Sequence, residues 1–348
     1  MRVLLVSDKF FIENGGSYTA VSELCYALNA KAISSKIFHN NSGNLLKLLS
    51  CYLVIKKYDI VHIFGIWSPF INAVIYLAKR LKKKIILSPI GHLETWSLKQ
   101  SEFKKKIAWF FYQKKFLELC NYIHVTSEQE SLTIKKINLR NIKIILLPHG
   151  KFYKDYADDK ILEAKKDKRM LVFSRIHPKK GILELVKAWN VLRPKNWELE
   201  ITGPITNINY KKEIENEIIK NNLSDKIYFG SPVYDEYSKQ LKYKNSDVVI
   251  LPSKNENFGF SICESMFCSN VVICSSETPW GVINNQQTGF CLPLNNTNNI
   301  IFALKKVFNL SKSDMQVMGK KAKEFSLSKY DLENVAIYKY IKFYQSLI

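Results

Sequence analysis

The feature that most constrains the fold of this chain is an alternation of short apolar runs with longer segments of helical spacing. The runs are rich in β-branched residues and leucine. They are Val3–Val6, Ile60–Phe64, Ile85–Leu87, Tyr122–Val125, Ile144–Leu147, Met170–Phe173, Leu199–Thr202, Ile227–Phe229, Val248–Leu251 and Val271–Cys274. Such runs are typical of parallel strands buried on both faces, with helices as crossovers. The sequence therefore predicts an α/β fold.

One interruption of this alternation predicts two domains. Pro148, Gly150 and the charge-rich tract 155–169 separate the fifth run from the sixth, and 348 residues suit about two domains. We predict Rossmann-like, doubly wound domains over 1–152 and 168–326, facing each other across a cleft at the carboxyl ends of their strands. Residues 327–348 have the apolar spacing of an amphipathic helix, which we expect to pack back on the first domain.

Charge and cysteine content limit the partners and the compartment. The chain holds 52 basic and 31 acidic residues, a formal charge of +21, and residues 1–150 alone hold 22 basic and 9 acidic ones. An acidic partner is expected. Seven cysteines without a C-x-x-C pair predict buried thiols in a reducing compartment. The amino-terminal apolar run is too short for a signal peptide, and no run is long enough to span a bilayer. We expect a cytoplasmic protein that lies on a membrane if it meets one.

A first candidate site follows the run Val248–Leu251. Residues 253–264 read Ser-Lys-Asn-Glu-Asn-Phe-Gly-Phe-Ser-Ile-Cys-Glu, with Glu256 and Glu264 eight positions apart. A helix beginning near Phe258 would offer free backbone N–H groups to a phosphate or a sugar hydroxyl, and Gly259 would allow close approach of the ligand. The carboxylates can accept hydrogen bonds from paired sugar hydroxyls. The alternative is two exposed glutamates without a function.

A second candidate site follows the run Met170–Phe173. Residues 174–181 read Ser-Arg-Ile-His-Pro-Lys-Lys-Gly. Arg175 can fork across two phosphate oxygens and Lys180 can act as a point charge, so the pair suits a diphosphate leaving group. Solvated basic residues are the alternative, and Pro178 with Gly181, which fix the turn, favour the functional interpretation.

Together the two motifs resemble the signatures of retaining glycosyltransferases of the GT-B fold, family four (glycosyl transferases group 1), of the bacterial surface-polysaccharide type. Four further segments resemble this family in the expected order along the chain. They are Gly15-Gly16, Ser88–Trp96, Leu147–Gly150, and Thr278–Trp280 with Gly289.

The resemblance implies roles on the donor side. Arg175 and Lys180 would neutralise the nucleotide diphosphate, and Glu264 would hold the ribose. Glu256 would hold the donor sugar, together with the backbone of Asn257-Phe258-Gly259-Phe260.

The resemblance also implies roles for several glycines and for one histidine. Gly15 and Gly16 would lie near the donor phosphate. The loops that contain Gly203 and Val233 would shape the base and sugar pocket. His92 would touch the donor sugar or shape the acceptor pocket.

Neither a metal nor another cofactor is expected. The chain contains no Asp-x-Asp motif, its six histidines lack zinc-site spacing, and Arg175 with Lys180 would take the place of a divalent ion. His62 and His124 lie inside apolar runs and are expected to be packed in the core. The donor would be a UDP- or GDP-sugar.

A basic, aromatic-rich segment suggests a membrane contact. Residues 99–116 predict a helix in which Phe103, Ile107, Phe110 and Leu117 share one face and lysines occupy the others. Such a helix could lie on an anionic lipid surface, and a lipid-linked acceptor would give it a purpose. A domain helix with a solvated lysine face is the equal alternative.

We therefore predict a retaining glycosyltransferase that moves a hexose-type sugar to a lipid-linked acceptor in bacterial polysaccharide or O-antigen synthesis. The alternatives are a GT-B sugar-nucleotide epimerase, a phosphorylase, for which no pyridoxal phosphate lysine motif stands out, and a basic nucleic-acid-binding protein. The last lacks a recognisable reader motif, so no specific nucleic acid is expected as a partner.

Overall fold

The computed structural model describes residues 1–8, 10–11, 15–41, 47–155 and 168–348. The chain divides into two compact units, each described here by itself. Unit 1 comprises Met1–Phe152 and Tyr330–Ile348, and unit 2 comprises Tyr153–Lys329. None of the described helices is both long and apolar enough to cross a bilayer.

Unit 1 contains a six-stranded parallel sheet of order β2-β1-β3-β4-β5-β6. Its strands are β1 (Arg2–Ser7), β2 (Ser34–His39), β3 (Ile60–Phe64), β4 (Lys84–Ser88), β5 (Tyr122–Val125) and β6 (Lys143–Leu146). The chain order reverses between β1 and β3, and loops at such a switch point leave a crevice for ligands.

The helices of unit 1 cover both faces of this sheet. They are α1 (Gly16–Ala30), α2 (Lys47–Lys56), α3 (Pro69–Arg80), α4 (Thr95–Lys99), α5 (Glu102–Ala108), a π-helical turn (Trp109–Gln113), α6 (Lys114–Glu118) and α7 (Glu128–Lys136). Apolar side chains of α2, α3, α6 and α7 form the core on one face, and those of α1 contribute to the core on the other. Burial of this apolar surface is the main stabilising term.

Unit 2 contains a second six-stranded parallel sheet, of order β9-β8-β7-β10-β11-β12. Its strands are β7 (Lys168–Phe173), β8 (Trp197–Thr202), β9 (Ile227–Gly230), β10 (Val248–Leu251), β11 (Val271–Ser275) and β12 (Gly289–Leu292). Its helices are α8 (Ile182–Leu192), α9 (Ile208–Lys220), α10 (Glu236–Lys244), α11 (Phe260–Phe267), α12 (Val282–Asn285), α13 (Thr297–Phe308) and α14 (Lys312–Tyr330). The order is that of a Rossmann sheet, with its switch point between β7 and β10.

The carboxyl-terminal segment differs from the single helix expected over 327–348. Helix α14 begins at Lys312 and ends at Tyr330, and the chain then continues through a π-helical turn (Leu332–Ala336) into α15 (Ile337–Gln345). Asp331 interrupts the helix because its carboxylate accepts the N–H of Asn334 as a new amino-terminal cap, 3.1 Å away. The backbone on both sides of Asp331 is bonded to Lys151. The segment after the break packs in the core of unit 1.

The ten strands expected from the sequence are confirmed, and two further strands, β2 and β12, were not predicted. Both lie at an edge of their sheet. Strand β2 has no fully buried residue and β12 alternates buried with half-buried positions. An edge strand needs no continuous apolar run, because it is not enclosed on all sides. The continuous run of buried apolar residues that distinguishes the inner strands is therefore absent from β2 and β12.

Histidines and tyrosines form a buried polar network in unit 1, and the expectation that His62 and His124 are packed in the core is confirmed. The two ring nitrogens of His62 lie 2.6 Å from the hydroxyl of Tyr344 and 2.8 Å from that of Ser88. His124 Nε2 lies 2.7 Å from the carbonyl oxygen of Leu147. The network joins strands β3, β4 and β5 to α15, so it fixes the carboxyl-terminal segment on this sheet.

Candidate active site

Two loops meet at the switch point of unit 2, one after β7 and one after β10. The N–H of Lys254 donates to the carbonyl oxygen of Lys179 at 2.8 Å. Gly181 has φ of +67°, and a Cβ at this position would lie 2.3 Å from the backbone oxygen of Pro252. Only glycine allows this approach without a shift of the backbone. The two loops are therefore held together by their main chains, before any side chain is considered.

The meeting of these loops pairs two residues predicted for the site. Lys180 Nζ forms an ion pair with Glu256 Oε1, and the two side chains are only 11% and 13% exposed. Burial raises the pKa of Glu256, but the charges of Lys180 and Lys179 outweigh it and hold that pKa below its usual value. Glu256 is thus an ionised acceptor at neutral pH, with a cation beside it.

The amino terminus of α11 forms the next part of this edge. The helix begins at Phe260, two residues later than the sequence predicted, and Gly259 precedes it in a left-handed conformation. Trp280 Nε1 donates to the carbonyl oxygen of Phe258, and the rings of these two residues lie 5.3 Å apart. The Asn257–Phe260 backbone is thus held at the carboxyl end of β10 by a buried tryptophan.

Glu264 is oriented by a residue that the sequence did not reveal. The hydroxyl of Tyr243, on α10, donates to Glu264 Oε2 at 2.8 Å. Tyr243 is almost wholly buried, and burial together with the carboxylate raises its pKa well above the usual value. The phenol therefore stays protonated and remains a donor. No local pattern indicates this contact, because the partners are 21 residues apart on different helices.

The remaining predicted residues of unit 2 lie on neighbouring loops. Arg175 follows β7 with an exposed side chain, and its guanidinium has no hydrogen bond or ion pair with the part of the chain that the structure describes. A Cβ on Gly203 would lie 2.0 Å from the backbone oxygen of Ser174, so this glycine lets the loop after β8 touch the loop that carries Arg175. Val233 is half-buried in the loop after β9.

In unit 1, the predicted glycine pair and His92 follow strands β1 and β4. Gly15 precedes α1 with φ of +61°, and Gly16 is the first residue of that helix. His92 is half-buried. The N–H of Ile66 points at His92 Nδ1 from 3.4 Å, and Trp67 Nε1 lies 3.4 Å from the carbonyl oxygen of His92. The loops after β3 and β4 thus hold the histidine between them.

A buried carboxylate that the sequence did not single out anchors the His92 loop. Glu130, on α7, accepts the N–H of Gly91 at 3.0 Å and the N–H of Thr126 at 2.9 Å. Its side chain is 2% exposed. The Ser127-x-x-Glu130 spacing could have indicated a helix cap. The sequence could not show that this carboxylate also reaches Gly91, 39 residues away.

Within the described residues, no group of three or more histidine, cysteine, aspartate or glutamate side chains could hold a metal ion. The same residues contain a lysine and two glutamates at the switch point of unit 2, with an exposed arginine on the loop after β7. This arrangement is chemically suited to a ligand that carries both a polyanion and hydroxyl groups.

Two doubly wound parallel sheets, with polar loops at their carboxyl edges, are the architecture of the GT-B fold. The fold matches that of solved structures over the whole chain. Sucrose-phosphate synthase from Thermosynechococcus elongatus matches with a TM-score of 0.81 and 17% identity, covering 100% of this chain and 99% of that one. HepE from Anabaena in complex with UDP-glucose matches with a TM-score of 0.75 and 14% identity, covering 100% of both chains.

Sequence comparison links one segment of the chain to a known family. Residues 154–325 match the model of the glycosyl transferases group 1. An uncharacterized glycosyltransferase of Methanocaldococcus jannaschii is 29% identical over 150 residues, which cover 43% of this chain and 40% of that protein. The alignment thus spans less than half of the relative's own length.

Proposed function

We propose that this chain is a retaining glycosyltransferase that transfers a hexose-type sugar from a UDP- or GDP-sugar to a lipid-linked glycan acceptor. The observation that carries the proposal is the joining of the loops after β7 and β10, which buries the Lys180–Glu256 pair beside the amino terminus of α11. The match of residues 154–325 to the glycosyl transferases group 1 supports the reaction class, and HepE, which has a similar fold, was solved in complex with UDP-glucose.

The proposed chemistry depends on charge that is already in place. Cleavage of the bond between sugar and phosphate builds negative charge on the departing diphosphate. Lys180, with Arg175, would stabilise that charge more strongly in the transition state than in the ground state. Because both cations are fixed parts of the chain, we propose that the transfer requires no metal ion.

Hydroxyl recognition would come from the carboxylates. Glu256 is ionised and would accept hydrogen bonds from the donor sugar, while Glu264, oriented by Tyr243, would accept them from the ribose. Retention would follow if the departing phosphate takes the acceptor's proton on the face that it leaves. In unit 1, His92 would shape the acceptor pocket, and Gly15 with Gly16 would lie near the donor phosphate.

The acceptor and the location complete the proposal. The Ser88–Trp96 segment, which carries His92, resembles bacterial polysaccharide glycosyltransferases, and this favours a glycan built on a lipid diphosphate, as in polysaccharide or O-antigen synthesis. The excess of basic residues suits such an acceptor and an anionic membrane surface. We therefore propose action at the cytoplasmic face of the plasma membrane.

A donor panel tests this function. UDP- and GDP-sugars are first screened for thermal stabilisation of the full chain, and the stabilising donor is then offered with a polyprenyl-diphosphate-linked sugar. We expect one donor to stabilise the protein and to be transferred with its anomeric configuration kept, with chelator present. Inversion of the configuration would refute the retaining mechanism. Conversion of the donor without an acceptor would favour the epimerase, and stabilisation by none would refute the proposal.

A further inference from the structure

An unusual surface in unit 1 exposes aromatic side chains and buries an amide. Phe103, Phe110 and Phe111 are 76%, 79% and 65% exposed, and Ile107 and Tyr112 are exposed as well. Gln113, the next residue, is fully buried. Lys104, Lys106, Lys114 and Lys115 interleave with the apolar side chains. We call the set of these five apolar residues and four lysines the aromatic–lysine surface. Large exposed apolar patches on soluble proteins mark interaction sites.

The π-helical turn explains why these side chains are exposed, and it corrects the helix face that the sequence predicted. A π turn holds one residue more than an α turn, and this extra residue rotates the residues after it relative to those before it. The prediction that Phe103, Ile107, Phe110 and Leu117 share one face is therefore wrong. Leu117 is fully buried, whereas the other three point to solvent. Gln113 turns inward and exchanges hydrogen bonds with the buried Asn72 of α3, at 3.2 and 3.4 Å.

Contacts of Trp109 and Lys105 connect the aromatic–lysine surface to the surroundings of the His92 loop. The rings of Trp109 and Trp67 lie 6.1 Å apart, and Trp67 Nε1 lies 3.4 Å from the carbonyl oxygen of His92. Lys105 Nζ donates to the carbonyl oxygen of Ser97 at 2.5 Å. The helical segment that exposes the phenylalanines thus contacts Trp67 and α4, and Trp67 in turn contacts His92.

We propose that the aromatic–lysine surface lies on an anionic lipid bilayer, with its phenylalanines at the boundary of headgroups and acyl chains and its lysines among the headgroups. The π turn serves this contact, because it presents Phe110, Phe111 and Tyr112 together. The inference deepens the proposed function by naming the surface that would bring the enzyme to a lipid-linked acceptor, but the binding itself needs no catalysis.

Charge favours a membrane over a second copy of the chain. Four lysines flank the exposed rings, and one of them, Lys106, is paired with Glu102. A symmetric dimer through this patch would bring the lysines of both copies together, whereas an anionic bilayer supplies opposite charge and an apolar interior in the same place.

The experiment measures partition of the full chain into vesicles of phosphatidylcholine alone and of phosphatidylcholine mixed with phosphatidylglycerol. We expect the native chain to bind the anionic vesicles, and we expect salt to weaken this binding without abolishing it. The triple variant Phe103→Ser, Phe110→Ser, Phe111→Ser should lower the partition coefficient by at least about tenfold. Replacing the four lysines by glutamine should lower it by a similar factor and remove the salt dependence.

A matched triple variant in unit 2 controls for the general loss of exposed apolar area. Val191, Ile208 and Ile219 are 65%, 56% and 66% exposed, and their replacement by serine should leave partition unchanged. Thermal unfolding of every variant shows that it is folded. Equal loss in both triple variants, or no binding by the native chain, would overturn the proposal.

Three other readouts complete the test. A concentration-dependent dimer in lipid-free solution that the phenylalanine variant abolishes, without vesicle binding, would identify a self-association surface and overturn the proposal. Binding to random duplex DNA that competes fully with vesicles would do the same. Donor stabilisation is measured on the same variants. If the native chain does not bind vesicles but is stabilised by a donor, the proposed function stands and the membrane contact fails. If the native chain binds vesicles but no donor stabilises it, only the proposed function fails.

Discussion

The loops that carry the predicted site residues are stabilised in different ways in the two units, although both units are built on doubly wound parallel sheets. In unit 2, a glycine contact and a buried ion pair, Lys180 with Glu256, join two loops. In unit 1, the carboxylate of Glu130 and the indole of Trp67 hold the His92 loop through hydrogen bonds. The joined loops of unit 2 thus carry preorganised charge, suited to a polyanion, whereas the His92 loop of unit 1 is held by hydrogen bonds to its backbone.

Histidine content separates the units further. His39, His62, His92, His124 and His149 belong to unit 1, and His177 alone belongs to unit 2. His62, His124 and His149 are buried. Three neutral imidazoles therefore lie in the core of unit 1, whereas His177 of unit 2 is only half-buried.

Glycine substitutions give the largest expected contrast between the units. Gly181 and Gly15 both have a positive φ, +67° and +61°. A Cβ at 181 would meet the Pro252 oxygen at 2.3 Å, whereas a Cβ at 15 would meet no atom of the described residues within 4 Å. We expect Gly181→Ala to destabilise unit 2 by about 4 kcal/mol, from a strained φ plus a backbone collision. Gly15→Ala should cost about 2 kcal/mol, because the backbone at Gly15, with φ of 61° and ψ of −119°, lies in a region that is strained for any residue with a Cβ. Urea unfolding measures both, and equal losses would show that the loop contact is not rigid.

Lys180→Ala tests the charge of unit 2 and should lower turnover by about 100-fold, equivalent to about 3 kcal/mol of transition-state stabilisation. Arg175→Ala should act similarly if its exposed guanidinium closes on the diphosphate. Lys187→Ala, at an exposed position on α8, is the matched control and should retain native turnover. Near-native turnover in both site variants, measured with saturating donor, would remove the two cations from the chemistry.

Glu130→Ala tests the loop of unit 1. Removal of the carboxylate leaves the N–H groups of Gly91 and Thr126 without their acceptor, and we expect unit 1 to lose about 2 kcal/mol. Under the proposed function, KM for the acceptor should rise while KM for the donor stays the same. Glu128→Ala, at an exposed position on the same helix, should change neither. A rise in the donor KM would contradict the division of roles between the units.

Acidification should weaken unit 1 before unit 2. Burial lowers the pKa of His124 to about 4 and, with a contribution from His124, that of His149 to about 3. Below the unfolded value of 6.5, protons bind the unfolded chain and not the folded one, so stability falls as pH decreases from 6.5 toward 4. We expect a loss on the order of 1 kcal/mol per pH unit for each histidine.

Buried thiols report on this loss for each unit. Cys51 and Cys120 lie in unit 1, and Cys263 and Cys274 lie in unit 2. Methanethiosulfonate labelling in graded urea, read by mass spectrometry at pH 7 and pH 5.5, should show a larger downward shift of the unfolding midpoint for the first pair. Equal shifts in both pairs would contradict the contrast in histidine content.

The sequence determined which segments form the sheets and where the charged loops emerge. Inner strands such as β3 and β10 are enclosed on both faces, so their composition is uniformly apolar and readable. The motifs around Arg175 and Glu256 follow two such strands, and the carboxyl ends of parallel strands meet at one edge. The α/β class and the candidate donor loops could therefore be identified without coordinates.

Which side chains meet follows from the packing of the folded chain. Tyr243 with Glu264, Glu130 with Gly91, and the break at Asp331 all depend on contacts between residues distant in sequence or on a competing cap. The π turn that exposes Phe110 and Phe111 is selected by the inward pairing of Gln113 with Asn72 on another helix. Periodicity reports the average environment of a segment, whereas such partners are chosen by packing, which no local pattern encodes.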